Sequence, residues 1–283
     1  MQPIRRNGGG YNQPSSPGYY QQASQNTNQN TFDPIKKKVA LLSLFNESPY
    51  GREDIAVTAT EELRRELSRT RDFVIDAEAG SIFGSSKEIY SGGGLKLAQL
   101  SRKAKLSGVS LVIFGRISHA RVRQNTDEIG VVRKTKSYAE SIVEIRVFDV
   151  LANKEIFSEK VNGNINDSSF RFFMSDRETN VDYRRNLLRY SVKVAVRKII
   201  PRVAKLGAKL DWTGRVARIL GSKVYINAGR QSGLNVGDIL KVMTEGQEIF
   251  DPESGALLGV SKGQVKGTLE VIDYFGADGA VTI

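Results

Sequence analysis

Two different periods of apolar residues divide the chain. Short apolar runs at residues 39–45, 72–76 and 110–115 are bounded by polar or turn residues and predict buried strands. Between these runs, residues 52–71 and 95–106 place apolar side chains on one helical face, which predicts two amphipathic helices. The order strand, helix, strand, helix, strand favours an α/β fold with helices packed against a sheet.

The period changes to two after residue 138. Residues 139–148 alternate apolar and polar side chains and predict a half-buried strand, followed by a turn at 152–154 and a return strand at 156–161. A long helix is then predicted from residue 182 to residue 206, in which Pro201 should kink or end the regular part. Its predicted buried stripe consists of Leu188, Val192, Ala195, Ile199 and Val203.

Glycine-punctuated strands replace helices after Trp212. The short segments that predict these strands are 214–219, 223–227, 239–243, 248–250, 257–258 and 268–272. Close spacing of short strands and glycine turns predicts a small all-β domain that is barrel-like in form. The expected fold class is therefore an α/β (α+β) domain with a mixed sheet and packing helices, followed by this barrel-like domain.

Composition separates a further segment at the N-terminus. Residues 1–33 are rich in Gly, Gln, Asn, Ser and Tyr and hold too little apolar surface to offset the entropy of ordering them. They are expected to be a disordered tail. The predicted division is thus the tail at 1–33, the α/β domain at 34–211 and the β domain at 212–283.

Few residues with catalytic or metal-binding chemistry occur in the chain. The absence of cysteine excludes disulfides, thiolate zinc sites and cysteine nucleophiles, and the one histidine is His119, at the predicted end of the third strand. No serine lies in a Gly-x-Ser-x-Gly elbow. Gly92, Gly93 and Gly94 lack the Lys-Ser/Thr that completes a phosphate loop, so a plain loop before the second helix is expected. We therefore expect a protein that is not an enzyme and that needs no cofactor or metal.

Positive charge is concentrated in the predicted α/β domain. The formal net charge is +11, and residues 34–211 carry all of it because the small net charges of the two flanking segments cancel. Such an excess favours an acidic partner. The long helix carries a candidate basic docking face, formed at every fourth position by Arg185, Arg189, Lys193 and Arg197.

Two interpretations of this basic face are open. It docks an acidic partner, or it is a solvated face whose charges meet carboxylates of neighbouring elements. Nucleic acid is the less expected partner, because Tyr183 and Tyr190 are the only aromatic residues of the helix that could stack on bases. The apolar stretch before the helix is a candidate subunit contact if it is exposed and part of the core if it is covered; its residues are Phe170, Phe172 and Phe173.

Both folded segments resemble known domains. The α/β domain shared by the curli-secretion protein CsgG, the N-terminal domain of TolB and the middle domain of flagellar assembly protein T is similar to this chain at residues 38–42, 104–117 and 143–150. The C-terminal β domain of flagellar assembly protein T is similar to it at residues 214–216, 223–229, 233–238 and 251–259. The resemblance implies a periplasmic scaffold protein in a homo-oligomeric ring around the flagellar motor near the outer membrane. It also implies that the partners are flagellar basal-body or other envelope proteins.

The start of the chain and the resemblance point to different compartments. No stretch approaches the roughly 20 apolar residues that span a bilayer, and the N-terminus lacks the apolar core of a secretory signal. Taken literally, this pattern indicates the cytoplasm. The resemblance implies the periplasm, with at most a peripheral association with the outer membrane. We expect the periplasm, and a true start upstream of the first residue.

Two other functions compete with the envelope scaffold. A secretion or outer-membrane accessory protein of the CsgG type would need long hairpins with apolar outward faces to form a pore, whereas residues 117–141 are densely charged. A basic nucleic-acid-binding protein would use the helix around residues 184–205, and its binding would weaken as salt is raised. The scaffold is the leading hypothesis.

Overall fold

A mixed sheet forms the first folded part of the chain. The computed structural model describes residues 34–129, 132–166, 180–255 and 257–283. The strands of the sheet are β1 Lys37–Leu41, β2 Phe45–Asn46, β3 Phe73–Ile75, β4 Leu111–Ile129, β5 Val132–Asp149 and β6 Lys154–Asn166. Their order is β3–β1–β4–β5–β6, with β2 also paired to β4. Strands β1 to β4 pair in parallel and β4 to β6 antiparallel, which confirms the predicted mixed sheet.

Helices cover both faces of this sheet. They are α1 Arg52–Arg69, α2 Ala79–Phe83, α3 Ser86–Ser107 and α4 Asn180–Lys209. Successive strand residues point to opposite faces. Val39 and Leu41 therefore share a core with α1 and α4, whereas Ala40 and Leu42 share one with α2 and α3. All four side chains are buried, which explains why this strand is a continuous apolar run.

Helix α3 begins at Ser86, well before the expected start at residue 95. A capping box starts it, in which the Ser85 amide donates to Glu88 Oε1 at 3.2 Å. Gly92–Gly94 therefore lie inside the helix, so the expected loop at these glycines is wrong. Each glycine weakens a helix by about 1 kcal/mol relative to alanine, which is why the pattern places the start after them. The cap and the buried apolar stripe of the helix outweigh that cost.

Helix α4 continues through Pro201 to Lys209, which confirms the helix predicted to residue 206 and, of the two alternatives at Pro201, excludes an end of the helix. A proline inside a helix removes one backbone hydrogen bond and costs about 3 kcal/mol. Ile199 and Val203, on either side of it, are each 1 % exposed and belong to the core shared with α1. This packing offsets the lost bond. The predicted stripe that begins at Leu188 is buried throughout and is confirmed.

The hairpin of β4 and β5 is much longer than the pattern predicts. A strand is expected at residues 110–115, whereas β4 runs to Ile129 and pairs with β5 along its length. A β-bulge between Ile117 and His119 shifts the alternation, so that Ala120 returns to the buried face that Ile117 occupies. Because of this bulge and the many charged residues of β4, the alternation of apolar and polar residues cannot be recognised in its sequence. His119 thus lies within a strand, and its predicted place at a strand end is wrong.

The C-terminal residues form a second, antiparallel sheet. Its strands are β7 Val216–Leu220, β8 Lys223–Ile226, β9 Ile239–Met243, β12 Val265–Phe275 and β13 Gly279–Thr282, and a separate two-stranded sheet consists of β10 Glu248–Phe250 and β11 Leu257–Val260. The order β7–β8–β13–β12–β9 makes β7 and β9 edge strands in the described part of the chain. The all-β prediction is confirmed, and the sheet is curled into a half-barrel that is open between β7 and β9 in the described part. The pattern does not predict β13.

Hydrogen bonds join the residues that flank β7 and β8 to the C-terminal end of α3. The Arg215 guanidinium donates to the Lys105 carbonyl at 2.7 Å, and the Asn227 side-chain amide donates to the Gly108 carbonyl at 3.2 Å. The C-terminal end of α3 is therefore tied to the second sheet, and the described residues from 34 onward belong to one compact unit.

Replacing Gly163 by alanine is expected to destabilise the fold. Gly163 lies on β6 directly against α4, and a Cβ there would clash with the Ser191 backbone carbonyl, which cannot move without shifting the helix. We expect Gly163→Ala to lower the free energy of unfolding in urea by about 2 kcal/mol. Gly80→Ala is the matched control, because a Cβ at that helical position meets no atom within 4 Å. Equal stability of the two variants would contradict this packing.

Candidate functional site

Two arginines of the predicted basic face are bound by a carboxylate of α1. The guanidinium groups of Arg185 and Arg189 both donate to Asp54, with 2.9 Å between Arg189 Nη2 and Asp54 Oδ1. The hydrogen bond from Arg185, supported by the one from Arg189, lowers the pKa of Asp54 below its ordinary value. Asp54 is therefore ionised at neutral pH and offsets part of the charge of α4.

A second carboxylate of α1 binds Arg197. Arg197 Nε donates to Glu62 Oε1 at 2.7 Å, and the Glu62 side chain is 1 % exposed. Arg65 binds the other oxygen of Glu62 from within α1, and Glu66 lies 3.9 Å from Arg197. A buried carboxylate is tolerated only when cations pair with it. Arg197 therefore helps to hold α4 against α1.

Lys193, the remaining residue of the basic face, lies beside Tyr190 of its own helix. Its Nζ is 5.3 Å from the ring centroid, a cation–π distance. Together with Arg189 it lines a cleft of about 520 Å³ between α4 and α1, whose α1 side carries Glu53 and Glu61. The basic face thus meets carboxylates of a neighbouring element, as the second interpretation of these residues expects. Docking of an acidic partner stays a prediction, and such a partner would compete with α1.

The other predicted positions give no catalytic constellation. Phe170, Phe172 and Phe173 lie outside the residues that the structure describes. His119 Nε2 lies 3.3 Å from Glu140 Oε1 on the neighbouring strand. His119 therefore belongs to a group of charged residues on the sheet surface.

The alternating pattern places Glu144 on the solvent side of its strand, but the structure buries it. Its side chain is 2 % exposed and accepts hydrogen bonds from Arg116 Nε at 2.9 Å and Arg146 Nε at 2.7 Å. Glu47 and Glu155 lie 2.8 and 3.6 Å from the outer nitrogens of these two arginines. Burial alone would raise the pKa of Glu144, but the two arginines outweigh it and the pKa is lowered.

The ring of Tyr90 lies against both guanidinium groups of this cluster. Arg116 and Arg146 are 4.8 and 4.9 Å from its centroid, and the ring makes edge contacts with Phe45 and Phe114 at 5.4 and 5.9 Å. Burial, and then the nearby carboxylate, raise the pKa of Tyr90. Tyr90 therefore anchors α3 to the sheet through apolar and cationic contacts together.

The cluster of Arg116, Glu144 and Arg146 cannot be recognised from the sequence pattern of any single strand. Arg116 and Glu144 are directly opposite each other across β4 and β5, and Arg146 follows on the same face. The signal is therefore in the register between two strands. An acidic residue in one alternating strand is otherwise assigned to solvent, which is why sequence reasoning missed it.

Exposed apolar side chains concentrate in the last quarter of the chain. Ile239 on β9 is 72 % exposed and Ile219 on β7 is 64 % exposed, and every residue of β7 is exposed. The large exposed apolar residues of this region are Val216, Ile219, Leu220, Val236, Ile239, Met243, Ile249, Phe250, Leu258, Val265, Ile272, Phe275 and Ile283. Single exposed apolar residues are common, but this concentration marks a candidate protein-binding surface.

Metal-binding groups and membrane-spanning helices are absent from the described ranges. Within them, no group of three or more His, Asp or Glu side chains is placed to hold a metal ion. No helix there is long and apolar enough to cross a bilayer.

Known proteins are similar to this chain only at low identity. No protein-family model matches it, and no curated protein matches it. The hypothetical protein CT253 from Chlamydia trachomatis is 20 % identical over 62 % of this chain and 99 % of that chain, with a TM-score of 0.40. The LpoB C-terminal domain from Salmonella enterica is 18 % identical over 47 % of this chain and 84 % of that chain, with a TM-score of 0.31. The PelC dodecamer from Paraburkholderia phytofirmans is 15 % identical over 58 % of this chain and 89 % of that chain, with a TM-score of 0.29. Similarities this low support no conclusion about what this chain does.

Removing the charge of Glu144 is expected to destabilise the protein at neutral pH. Glu144→Gln leaves Arg116 and Arg146 without their shared carboxylate in a partly desolvated place, and the free energy of unfolding should fall by about 2 kcal/mol. Glu140→Gln on the same strand is the control. Its side chain is 37 % exposed, so its loss should cost less than about 1 kcal/mol.

The cost of Glu144→Gln should also depend on pH in one direction. The pKa of Glu144 is lowered from its ordinary value of 4.5. The ionised carboxylate therefore contributes its full stabilisation at every pH above that value. The contribution is lost as pH falls through the folded-state pKa. Urea titrations should show a difference in the free energy of unfolding between wild type and variant that is large at about pH 7 and small at about pH 3. A difference that stays constant with pH would contradict this account.

Proposed function

We propose that the chain is a non-catalytic assembly protein of the bacterial cell envelope and that it binds other proteins through its C-terminal strands. The observation that supports this most is the exposure of large apolar side chains there, including Ile219 at 64 % and Ile239 at 72 %. Full burial of such a side chain gains roughly 1.5–3 kcal/mol. A partner that covers several of them would gain a substantial binding free energy.

Backbone groups of the same sheet add to this surface. In the described chain, β7 pairs only with β8, and β9 only with β12. An edge strand presents unpaired amide and carbonyl groups to which a strand of another protein can be added. Because β7 has no buried residue, a strand that pairs with it would also meet its apolar side chains.

The electrostatics of the two carboxylate clusters favours a structural role over a catalytic one. The pKa values of Asp54 and Glu144 are both lowered. A carboxylate that acts as a general acid or base near neutral pH needs a pKa raised toward that pH. The arginines shift both groups in the opposite direction, which supports a structural role for these two clusters.

A more specific form of the proposal is a periplasmic component of a ring around the flagellar motor near the outer membrane. Its support is the sequence resemblance of residues 214–216, 223–229 and 233–238 to the C-terminal β domain of flagellar assembly protein T. In this form the partners are basal-body proteins and further copies of the chain, and no cofactor is required.

Deletion of the gene in its source bacterium tests the flagellar form. We expect electron cryotomography to show motors that lack density near the outer membrane, and motility in soft agar to fall. Re-expression of the wild-type chain should restore both. Re-expression of Ile219→Ser/Ile239→Ser should restore neither fully, because two strongly exposed apolar contacts are lost.

The matched control is Leu106→Ser, since Leu106 is 72 % exposed but lies on α3. This variant should complement the deletion as well as wild type does. Intact, fully decorated motors and normal motility in the deletion strain would contradict the flagellar form of the proposal.

A further inference from the structure

We infer that the chain associates head to tail with a second copy of itself through two surfaces at opposite ends of the molecule. One surface is the ribbon, residues 244–255 and 257–264, which contains β10 and β11. The other is the open face, the exposed side of β4 to β6 around Arg121, Arg123 and Tyr138. The inference rests on the proposed role in assembly and names a partner for it.

The ribbon is apolar and acidic in an otherwise basic chain. Ile249, Phe250 and Leu258 are 50, 53 and 63 % exposed, although a two-stranded ribbon gains little stability by itself. Its net charge is −3, because Lys262 is opposed by Glu245, Glu248, Asp251 and Glu253. The exposed apolar side chains favour burial against another protein surface, and the negative charge favours a surface that is basic.

The open face begins where α3 stops covering the sheet. Phe114 and Phe148 are buried under α2 and α3. Further along the same side of β6, the alternate residues Lys160, Asn162 and Asn164 are exposed. This side of the hairpin therefore faces solvent in the described chain, while its other side packs on α4.

Cations are in excess on the open face. Arg121 binds Glu140, and His119 Nε2 lies 3.3 Å from the same oxygen. Arg123 is 3.9 Å from that oxygen and 56 % exposed, so it is less engaged than Arg121. Tyr138 lies directly opposite Arg123 across the strands and is 39 % exposed. The guanidinium group of Arg123 can pair with carboxylates of an acidic strand, and the exposed ring of Tyr138 can pack against the apolar side chains of that strand.

One chain cannot bring its own two surfaces together. The ribbon is fixed beside the turn between β5 and β6, where Asn153 Nδ2 donates to Glu248 Oε1 at 3.2 Å. From Asp149, at that end of β5, the strand rises about 35 Å to Tyr138. The tip of the ribbon extends only about 15 Å beyond Glu248. The ribbon therefore reaches an open face only on a second copy.

This contact has a defined symmetry. It joins two different surfaces, so each copy keeps one free ribbon and one free open face after the first contact. Such a heterologous interface repeats into a closed ring or an open filament. Because opposite charges meet in it, association should weaken as salt is raised.

Charge-swapped variants of the full chain test the contact. Glu245→Lys/Glu253→Lys reverses the ribbon, and Arg121→Glu/Arg123→Glu reverses the open face. In sedimentation velocity at low salt, wild type should associate and each variant alone should associate at least about tenfold more weakly. An equimolar mixture of the two variants should recover association, because the reversed ribbon of one fits the reversed face of the other.

Two controls keep the test specific. Arg121 also binds Glu140, so Arg123→Glu alone replaces the double variant if the latter loses its circular dichroism signal. Glu61→Lys makes the same kind of charge change on α1, outside both surfaces. It should leave association at the wild-type level.

Three outcomes overturn the head-to-tail contact. They are a wild type that is monomeric at every concentration, variants that associate as strongly as wild type, and a mixture that does not recover. The deletion phenotype is measured separately. A motor defect combined with a monomeric protein would leave the proposed function standing and remove this contact.

Discussion

Burial of the central strands on both faces is the constraint on which the rest of the structure depends. The residues of β1 alternate between one core shared with α1 and α4 and another shared with α2 and α3. Because the β4–β5 hairpin runs beyond the part of the sheet that α3 covers, the sheet changes from buried to open along the strands. Glu144 and Tyr90 lie where the sheet changes from buried to open. There Arg116 and Arg146 bind the buried carboxylate, and Arg116 also contacts the aromatic ring.

Charge in this molecule mainly holds elements together. Asp54 and Glu62 bind arginines of α4 to α1, and Glu144 binds arginines of two strands. Arg185, Arg189 and Arg197 are therefore less available to a partner than their spacing along α4 suggests. Apolar exposure on the C-terminal strands, rather than the basic helix, is what most distinguishes the surface.

How far the fold could be predicted depends on how local its causes are. The pattern of apolar residues predicts β1, α1 and the buried stripe of α4, because the buried residues of each element are close together in the sequence. The bulge after Ile117 depends on contacts with the neighbouring strand. No pattern within one element records it.

The candidate site shows the same limit. Arg185, Arg189 and Arg197 could be located by their spacing, but their partners Asp54 and Glu62 lie more than a hundred residues earlier in the chain. Whether a basic stripe faces solvent or a carboxylate is decided by which helix packs beside it. The exposed strands were likewise predicted as strands, while their exposure follows from the open order of the sheet.

The most direct test of the central claim, that the C-terminal strands bind protein, is site-specific photo-crosslinking in living cells. A benzophenone amino acid would replace Ile219, Ile239 or, as a control of similar exposure on α3, Leu106. We expect crosslinked products of higher mass at Ile219 and Ile239 and none at Leu106. Products that are absent from both strand positions, or equally abundant at Leu106, would contradict it.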